Sequence, residues 1–334
     1  MKKYERLSYA EREEISRKLA QKSSLRSIAK KLDRHVSSIS REVRAGSCNI
    51  YTYRAGKAQS RSRRNASKRR KDQRKLDQES ALRGYIYQKL RLKWSPKQIA
   101  RELKKDYPLD MNMRIAPETI YTYIYVLPRG SLKKELLSAL RRNHKHRYRQ
   151  RRAAQNARKL ENMLSIEERP KEVESRTVPG HWEGDLIAGK YNRSALGTLV
   201  ERTTRTVILV PLKSRLAEHV ARRFAREVKS LPRQMKLTMT YDQGREMAEH
   251  ELFTRMSGIK VYFAHPRSPW ERGTNENTNG LIRQFFPKGT DFNKVSRREI
   301  KKVQDLLNGR PRAALNFDKP FEVFNRLLNQ QLLR

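Results

Sequence analysis

Near the start of the chain, apolar positions recur at helical intervals. Ser8 with Glu11 three residues later forms a capping box ahead of a helix that carries Ile15 and Leu19 on one face. Ser24 then precedes Leu25, Ile28, Ala29 and Leu32, the spacing of a single apolar stripe, and after Asp33-Arg34-His35 a third short helix turns Ile39 and Val43 inward. This order predicts a helix-turn-helix. Its third helix presents Ser37, Ser38 and Arg41 outward, where hydroxyls and a guanidinium reach phosphates or base edges in a major groove; an ordinary three-helix bundle has the same spacings. A second helical unit begins at Ser95-Pro96, a cap followed by proline at the first helical position, and runs through Ile99, Ala100 and Leu103. A partner helix from Pro117, with Ile120 and Ile124 inward, makes Thr119 a further candidate DNA contact.

From Trp182 the period changes to that of strands. Segments 181–187, 196–201 and 206–212 read as three consecutive antiparallel strands. A helix through Ala217, Val220, Ala221 and Phe224 follows, then a strand at 237–241, a helix around 247–256, a strand at 259–263 and a helix from about 272 to 286. The pattern is that of an α/β domain with a mixed sheet. Residues 299–333 read as helical, broken at Pro311 and Pro320, and as packing on that domain.

Charge adds a partner to this outline. The 334 residues carry 77 Lys and Arg against 35 Asp and Glu, a formal net charge of +42. The excess is concentrated in residues 1–170, with 46 basic and 17 acidic side chains, against 31 and 18 in residues 171–334. Such a field favours double-stranded DNA or RNA through counterion release. Acidic membranes fit less well, because no long basic amphipathic helix with an aromatic face is present. Two runs, 54–75 and 141–159, are so rich in Arg and Lys that they read as linkers or phosphate-tracking arms. The expected division is therefore multidomain: a helix-turn-helix domain over 1–53, a basic linker over 54–80, a second helical DNA-binding domain over 81–140, a basic linker over 141–174, the α/β domain over 175–290 and a helical tail over 291–334. The single cysteine, Cys48, cannot form an internal disulfide, and no apolar run approaches the length of a membrane span, so a cytoplasmic protein is expected.

In so basic a chain, a few acids stand out by position. Asp185 lies within the apolar strand Trp182-Glu-Gly-Asp-Leu-Ile187, and Asp242 ends the next core strand in Tyr241-Asp-Gln-Gly. A carboxylate at such a strand end is costly unless a cation or hydrogen bonds offset its desolvation. Glu276 lies on the helix that begins near Gly273, and Arg283, seven residues on, shares its face, which makes it a candidate DNA contact that holds a phosphate beside the metals. Three oxygen ligands from two strands and a helix suit hard divalent ions, two of which can serve an in-line displacement at phosphorus. Taken singly, Asp242 can be a turn cap and Glu276 a surface residue. Glu183 competes with Asp185, because residues two apart in a strand project to the same side. His181, His265 and Asn275 lie close to the acids and can position DNA or water, although lone histidines at strand ends are commonly structural. Trp270 can stack on a distorted base or anchor a loop.

Gly180-His-Trp-Glu-Gly-Asp185, Tyr241-Asp-Gln-Gly and the long run from Ser268 through Trp270-Glu-Arg-Gly-Thr-Asn-Glu276-Asn-Thr-Asn-Gly to Thr290 closely resemble the DDE transposases of the bacterial insertion-sequence-thirty family. The interval of 33 residues between Asp242 and Glu276, the N-terminal helix-turn-helix and the tail motif Asn308-Gly-Arg-Pro-Arg312 extend the resemblance over nearly the whole chain. It implies an RNase H-like catalytic fold, with Asp185, Asp242 and Glu276 as ligands of Mg²⁺ or Mn²⁺, two ions per site. It also implies a front half that binds the terminal inverted repeats of the element. Synchronous joining of two ends calls for a homodimer or larger assembly. Two other readings use the same pattern: a repressor that binds DNA without catalysis, and a metal-dependent nuclease that cleaves but does not join.

Overall fold

Ser8 caps the first helix as its sequence dictates: its hydroxyl accepts the Glu11 N–H at 3.2 Å and the Glu11 carboxylate accepts the Ser8 N–H at 2.6 Å. The structure is a computed structural model that describes residues 6–45, 50–71, 75–140, 162–266 and 268–332. Cys48 and the whole basic run 141–159, with residues 160 and 161, lie outside the described residues. The chain forms two compact units, Met1–Arg83 and Gly84–Arg334.

In the first unit, α1 (Tyr9–Ala20), α2 (Leu25–Lys31) and α3 (Val36–Arg44) close on Ile15, Leu19, Ile28, Ile39 and Val43, the predicted stripe residues. A fourth helix, α4 (Ala55–Lys71), occupies the first part of the segment expected to be a linker. Among its described side chains the buried ones are Ala55 and Ala58, next to Tyr53, and alanine leaves no legible apolar stripe in an Arg-rich run. Buried Arg12 ties α1, α3 and α4 together through Glu42 at 2.9 Å and Gln59 at 2.6 Å. The short α5 (Lys75–Gln78) follows, and α6 (Ser80–Arg91) leads into the second unit.

There, α6, α7 (Pro96–Asp106), α8 (Pro117–Val126) and α9 (Ser131–Ala139) bury Ile86, Leu90, Ile99, Leu103, Ile120, Ile124 and Leu136. Ser95 and Gln98 form a capping box for α7, whereas Ala116 gives α8 no side-chain cap. After α10 (Glu172–Ser175) comes a six-stranded mixed sheet: β1 (Leu164–Ser165), β2 (His181–Ala188), β3 (Ala195–Glu201), β4 (Val207–Leu212), β5 (Thr238–Tyr241) and β6 (Lys260–Phe263), in the spatial order β1-β6-β5-β2-β3-β4. The meander β2-β3-β4 is antiparallel, while β5 runs parallel to β2 and β6 and β1 extend that parallel side. β1 lies in the second segment expected to be a linker. A two-residue strand is too short to show alternation.

The sheet is covered on both faces. Trp182, Leu199, Val210, Met239 and Tyr241 pack against α11 (Ala217–Val228) and α12 (His250–Ser257) on one side. On the other, Leu196, Val200, Val207 and Leu209 meet Leu281 and Ile282 of α13 (Gly273–Ile282) and Ile300, Val303 and Leu307 of α14 (Arg297–Asn308). α14 also satisfies the open edge of β4: Asn308 accepts the Val207 N–H at 2.8 Å and donates to the Val207 carbonyl at 2.9 Å, and Gln304 accepts the Leu209 N–H at 2.9 Å. The last helix, α15 (Pro320–Leu332), follows a turn in which Lys319 pairs with buried Glu102 of α7. No helix of the described residues is long and apolar enough to cross a membrane.

Candidate active site

The site is set by strand register. β2 and β5 pair in parallel with Glu183 beside Thr240, so continuing that register by two residues brings Asp185 level with Asp242, where the strands part. Gly184 makes this approach possible. A Cβ there would lie 2.6 Å from the ring of Tyr241, which is buried beneath it. Asp185, midway along β2, and Asp242, just past the end of β5, thus stand side by side over a packed aromatic floor.

One guanidinium bridges them. Arg272 Nη2 donates to Asp242 Oδ2 at 2.8 Å, its Nη1 donates to the Gly184 carbonyl at 3.1 Å and lies 3.7 Å from Asp185 Oδ1. Asp185 Oδ1 also accepts the Leu186 N–H at 2.8 Å, and its Oδ2 accepts from Asn279 Nδ2 at 2.7 Å. Burial pushes the Asp185 carboxyl up to about 6, with Arg272 opposing and the charges of Asp242 and Glu246 reinforcing the rise. The sequence pattern singled out neither Arg272, Asn279 nor Glu246. Arg272 and Asn279 flank Glu276 at helical intervals of four and three, a placement readable only once the helix is known to face the aspartates.

The orientation of α13 is fixed by Asn275. Its N–H donates to Glu183 Oε2 at 2.8 Å, its amide donates to the Glu183 carbonyl at 3.0 Å, and its Oδ1 accepts from Thr198 at 3.0 Å. Glu183 is wholly buried, with Arg202 at ion-pair distance, 3.1 Å. It is therefore an internal strut, whereas Asp185 and Asp242 keep 26% and 41% of their side-chain surface open. Glu276 is exposed on the helix stripe shared with Arg272 and Asn279. Among the described residues, no three His, Cys, Asp or Glu side chains gather closely enough to hold an ion, so Glu276 does not join the aspartates in this arrangement. Arg283 turns to the end of β2, donating to the Ala188 carbonyl at 2.8 Å.

The neighbouring residues separate into structural and surface groups. His181 is buried with Nδ1 at 2.9 Å from Thr238 Oγ1, and burial together with Arg202 and Arg169 lowers it to about 4. Because this value lies below that of an unfolded histidine, its contribution to stability is complete above about pH 6.5 and is lost as pH falls toward 4. We expect acid unfolding over that range to be shallower in His181→Asn, by up to about 3 kcal/mol, as read from urea midpoints at pH 7 and pH 4.5. His265 is exposed and bonded to Glu271 at 2.8 Å, which raises its proton affinity. Trp270 is 73% exposed one turn before α13, outside any core.

In the first unit, Arg41 is exposed on α3 and bonds back to Ser37, with Nη2 3.0 Å from Ser37 Oγ. Ser37 Oγ is also 2.7 Å from His35 Nδ1, and Ser38 is half-buried. Thr119 is exposed on the first turn of α8.

Comparison with known proteins adds family to geometry. A helix-turn-helix domain model matches residues 3–46, and an integrase core domain model matches residues 176–269. The chain is 41% identical over 326 residues to the transposase for insertion sequence element IS1086 of Cupriavidus metallidurans, covering 98% of this chain and 96% of that protein. It is 41% identical over 323 residues to the transposase InsI for insertion sequence element IS30A of Escherichia coli K12, covering 96% and 83%. It is 37% identical over 257 residues to the transposase for insertion sequence element IS4351 of Bacteroides fragilis, covering 75% and 74%.

Proposed function

Because this chain belongs to the IS30 family of insertion-sequence transposases, we propose that it is a DDE transposase that binds the terminal inverted repeats of its element through the helix-turn-helix, cleaves there and joins the freed ends to target DNA. Binding to DNA and divalent-metal-dependent transfer at phosphodiesters follow from the family. The finer assignments are ours: Mg²⁺ or Mn²⁺, two ions per site, held by Asp185, Asp242 and Glu276. The observation that carries them is the shared guanidinium, since two carboxylates from adjacent strands already converge on one cation.

The donor set fits hard ions: carboxylates with open surface, beside a carbonyl at Gly184. A divalent cation bound there supplies Lewis-acid neutralisation of charge on the phosphoryl oxygens. The chain's own residues do the rest. Asn279 and the Leu186 N–H hold both oxygens of Asp185 in one orientation, and Gly184 lets Asp242 stand beside it. Arg272, displaced from the aspartates, is placed to meet a phosphate, as a guanidinium does bidentately. Glu276, on the stripe of α13 that carries Arg272 and Asn279, would be the third ligand. Water attacks the phosphodiester at the element end, breaking its P–O3′ bond to give a 3′-hydroxyl on the element and a 5′-phosphate on the flank; that hydroxyl then attacks a target phosphodiester and expels the target's 3′-oxygen, so no covalent enzyme intermediate is required. Domains 1–53 and 81–140, with Ser37, Ser38, Arg41 and Thr119, engage the ends, and 175–290 carries the chemistry. The working form is a homodimer or larger, acting at the nucleoid in the cytoplasm.

Purified protein incubated with labelled terminal-repeat DNA should yield nicked and joined products only with Mg²⁺ or Mn²⁺. Binding with neither product under either ion would favour the repressor reading; nicks without joining would favour the nuclease. Arg41→Ala should weaken binding to the terminal repeat at least about tenfold while leaving binding to random DNA nearly unchanged, as measured by competition gel shift. An equal loss on both would make Arg41 a phosphate contact alone.

A further inference from the structure

The tail motif Asn308-Gly-Arg-Pro-Arg312 plays no part in the acid site. Asn308 docks α14 onto β4, as described, but the two arginines that follow do something else. Arg310 and Arg312 are 2% and 8% exposed, and both line a cavity of about 590 Å³ on the flank of α13 away from the aspartates. Lys97, Arg176 and Arg205 line it too, and none of the described residues around it is acidic. The α13 side chains that face it, Thr274, Asn277 and Thr278, are neutral and polar.

These cations are held in place by the fold. Arg310 Nε donates to Gln98 at 3.1 Å and its Nη1 to Gln284 at 2.8 Å; Arg312 Nη2 donates to the Leu307 carbonyl at 3.1 Å. Arg205 sits in the β3–β4 turn at φ +62° and donates through Nη1 to Thr274 Oγ1 at 2.6 Å. Its Nε is buried without a hydrogen-bond partner among the described residues. Burial and then Arg176 lower the proton affinity of Arg205, against the smaller opposing effect of the Glu183 and Glu201 carboxylates. Like charges held together in a concave, partly desolvated site favour a bound anion.

We infer that this cavity is a second DNA site, which takes the sugar-phosphate backbone of the strand beside the scissile phosphodiester. It rests on the transposase reading above. The choice of DNA over a small free anion follows from the place and the size: the cavity shares α13 with Glu276, is far roomier than one phosphate, and has the Phe317 ring among its lining residues, with Lys97 5.8 Å from the ring centre. An aromatic ring beside cations suits a nucleotide. The tail motif thereby acts in substrate positioning.

The test uses the full-length protein and terminal-repeat duplexes carrying a single neutral methylphosphonate, moved one position at a time. In the wild type, neutralising one or two phosphates near the cleavage position should lower affinity about tenfold each. In Arg205→Gln and in Arg176→Gln, the same substitutions should cost little, and the slope of log affinity against log salt should fall by about one. Arg205→Lys, which keeps the charge, should recover most of the affinity, and melting temperatures check that each variant is folded. Inorganic phosphate alone is the competing arm. If phosphate raises the melting temperature of the wild type but not of Arg205→Gln, while the methylphosphonate profiles of the two coincide, the cavity holds a free anion and the DNA assignment falls. Unchanged DNA affinity and salt slope in both Gln variants would also overturn it. Wild-type cleavage of the unmodified duplex with Mn²⁺ is the control: its absence would count against the transposase reading, whereas its presence with unaltered variants counts only against the cavity.

Discussion

Asp242→Asn should leave terminal-repeat DNA bound and reduce strand cleavage by about a thousandfold or more. The reasoning is electrostatic. A carboxylate that helps hold a divalent ion contributes several kcal/mol of charge stabilisation in the transition state, and each 1.4 kcal/mol is tenfold in rate. The amide is nearly isosteric and still offers Arg272 an oxygen in place of Oδ2, which now accepts at 2.8 Å, so the fold should survive. The pair is part-exposed on the Asp242 side, and loss of its charge should change stability by about 1 kcal/mol or less. Single-turnover cleavage under excess enzyme, beside a gel shift on the same DNA, measures both quantities. Cleavage within a factor of about ten of the wild type would remove Asp242 from the chemistry.

Gly184→Ala should be nearly as damaging, without altering any charged group. Its new methyl would stand 2.6 Å and 2.8 Å from two carbons of the buried Tyr241 ring, closer than a Cβ can sit. Tyr241 is held between β2 and α11, where Phe224 packs against it with ring centres 6.4 Å apart, so it has little room to retreat. Relief must come from moving β2 and β5 apart, which separates Asp185 from Asp242. Overpacking of this kind costs about 1–3 kcal/mol of stability, and a displacement of about 1 Å at reacting groups costs about a hundredfold in rate. Urea unfolding and single-turnover cleavage should report both losses. Gly184→Ala with wild-type cleavage would mean that the strands need not approach this closely.

Much of this arrangement is legible before any coordinates. The helix-turn-helix stripe, the three antiparallel strands and the two aspartates set on apolar strands follow from periodicity and from the cost of burying a carboxylate. The choice of Asp185 over Glu183 does not follow from a period of two. Burial separates them, because Asn275 reaches down from α13 and engages Glu183. Arg272 was hidden for a different reason: one arginine among 77 basic residues carries no distinguishing signal until α13 is laid over the sheet. α4 is not legible because its described buried side chains are alanines in a charged run, nor is β1, which is only two residues long. Glu276 is the reverse case, prominent in sequence and exposed in the fold, on the right face of its helix but apart from the aspartates.

That separation makes one measurement decisive. In crystals of the full-length protein with terminal-repeat DNA and Mn²⁺, anomalous scattering should place manganese about 2.0–2.3 Å from oxygens of Asp185, Asp242 and Glu276, with Arg272 moved off the aspartates. Manganese bound elsewhere, with Arg272 still bridging Asp185 and Asp242 and Glu276 still facing solvent, would contradict the account.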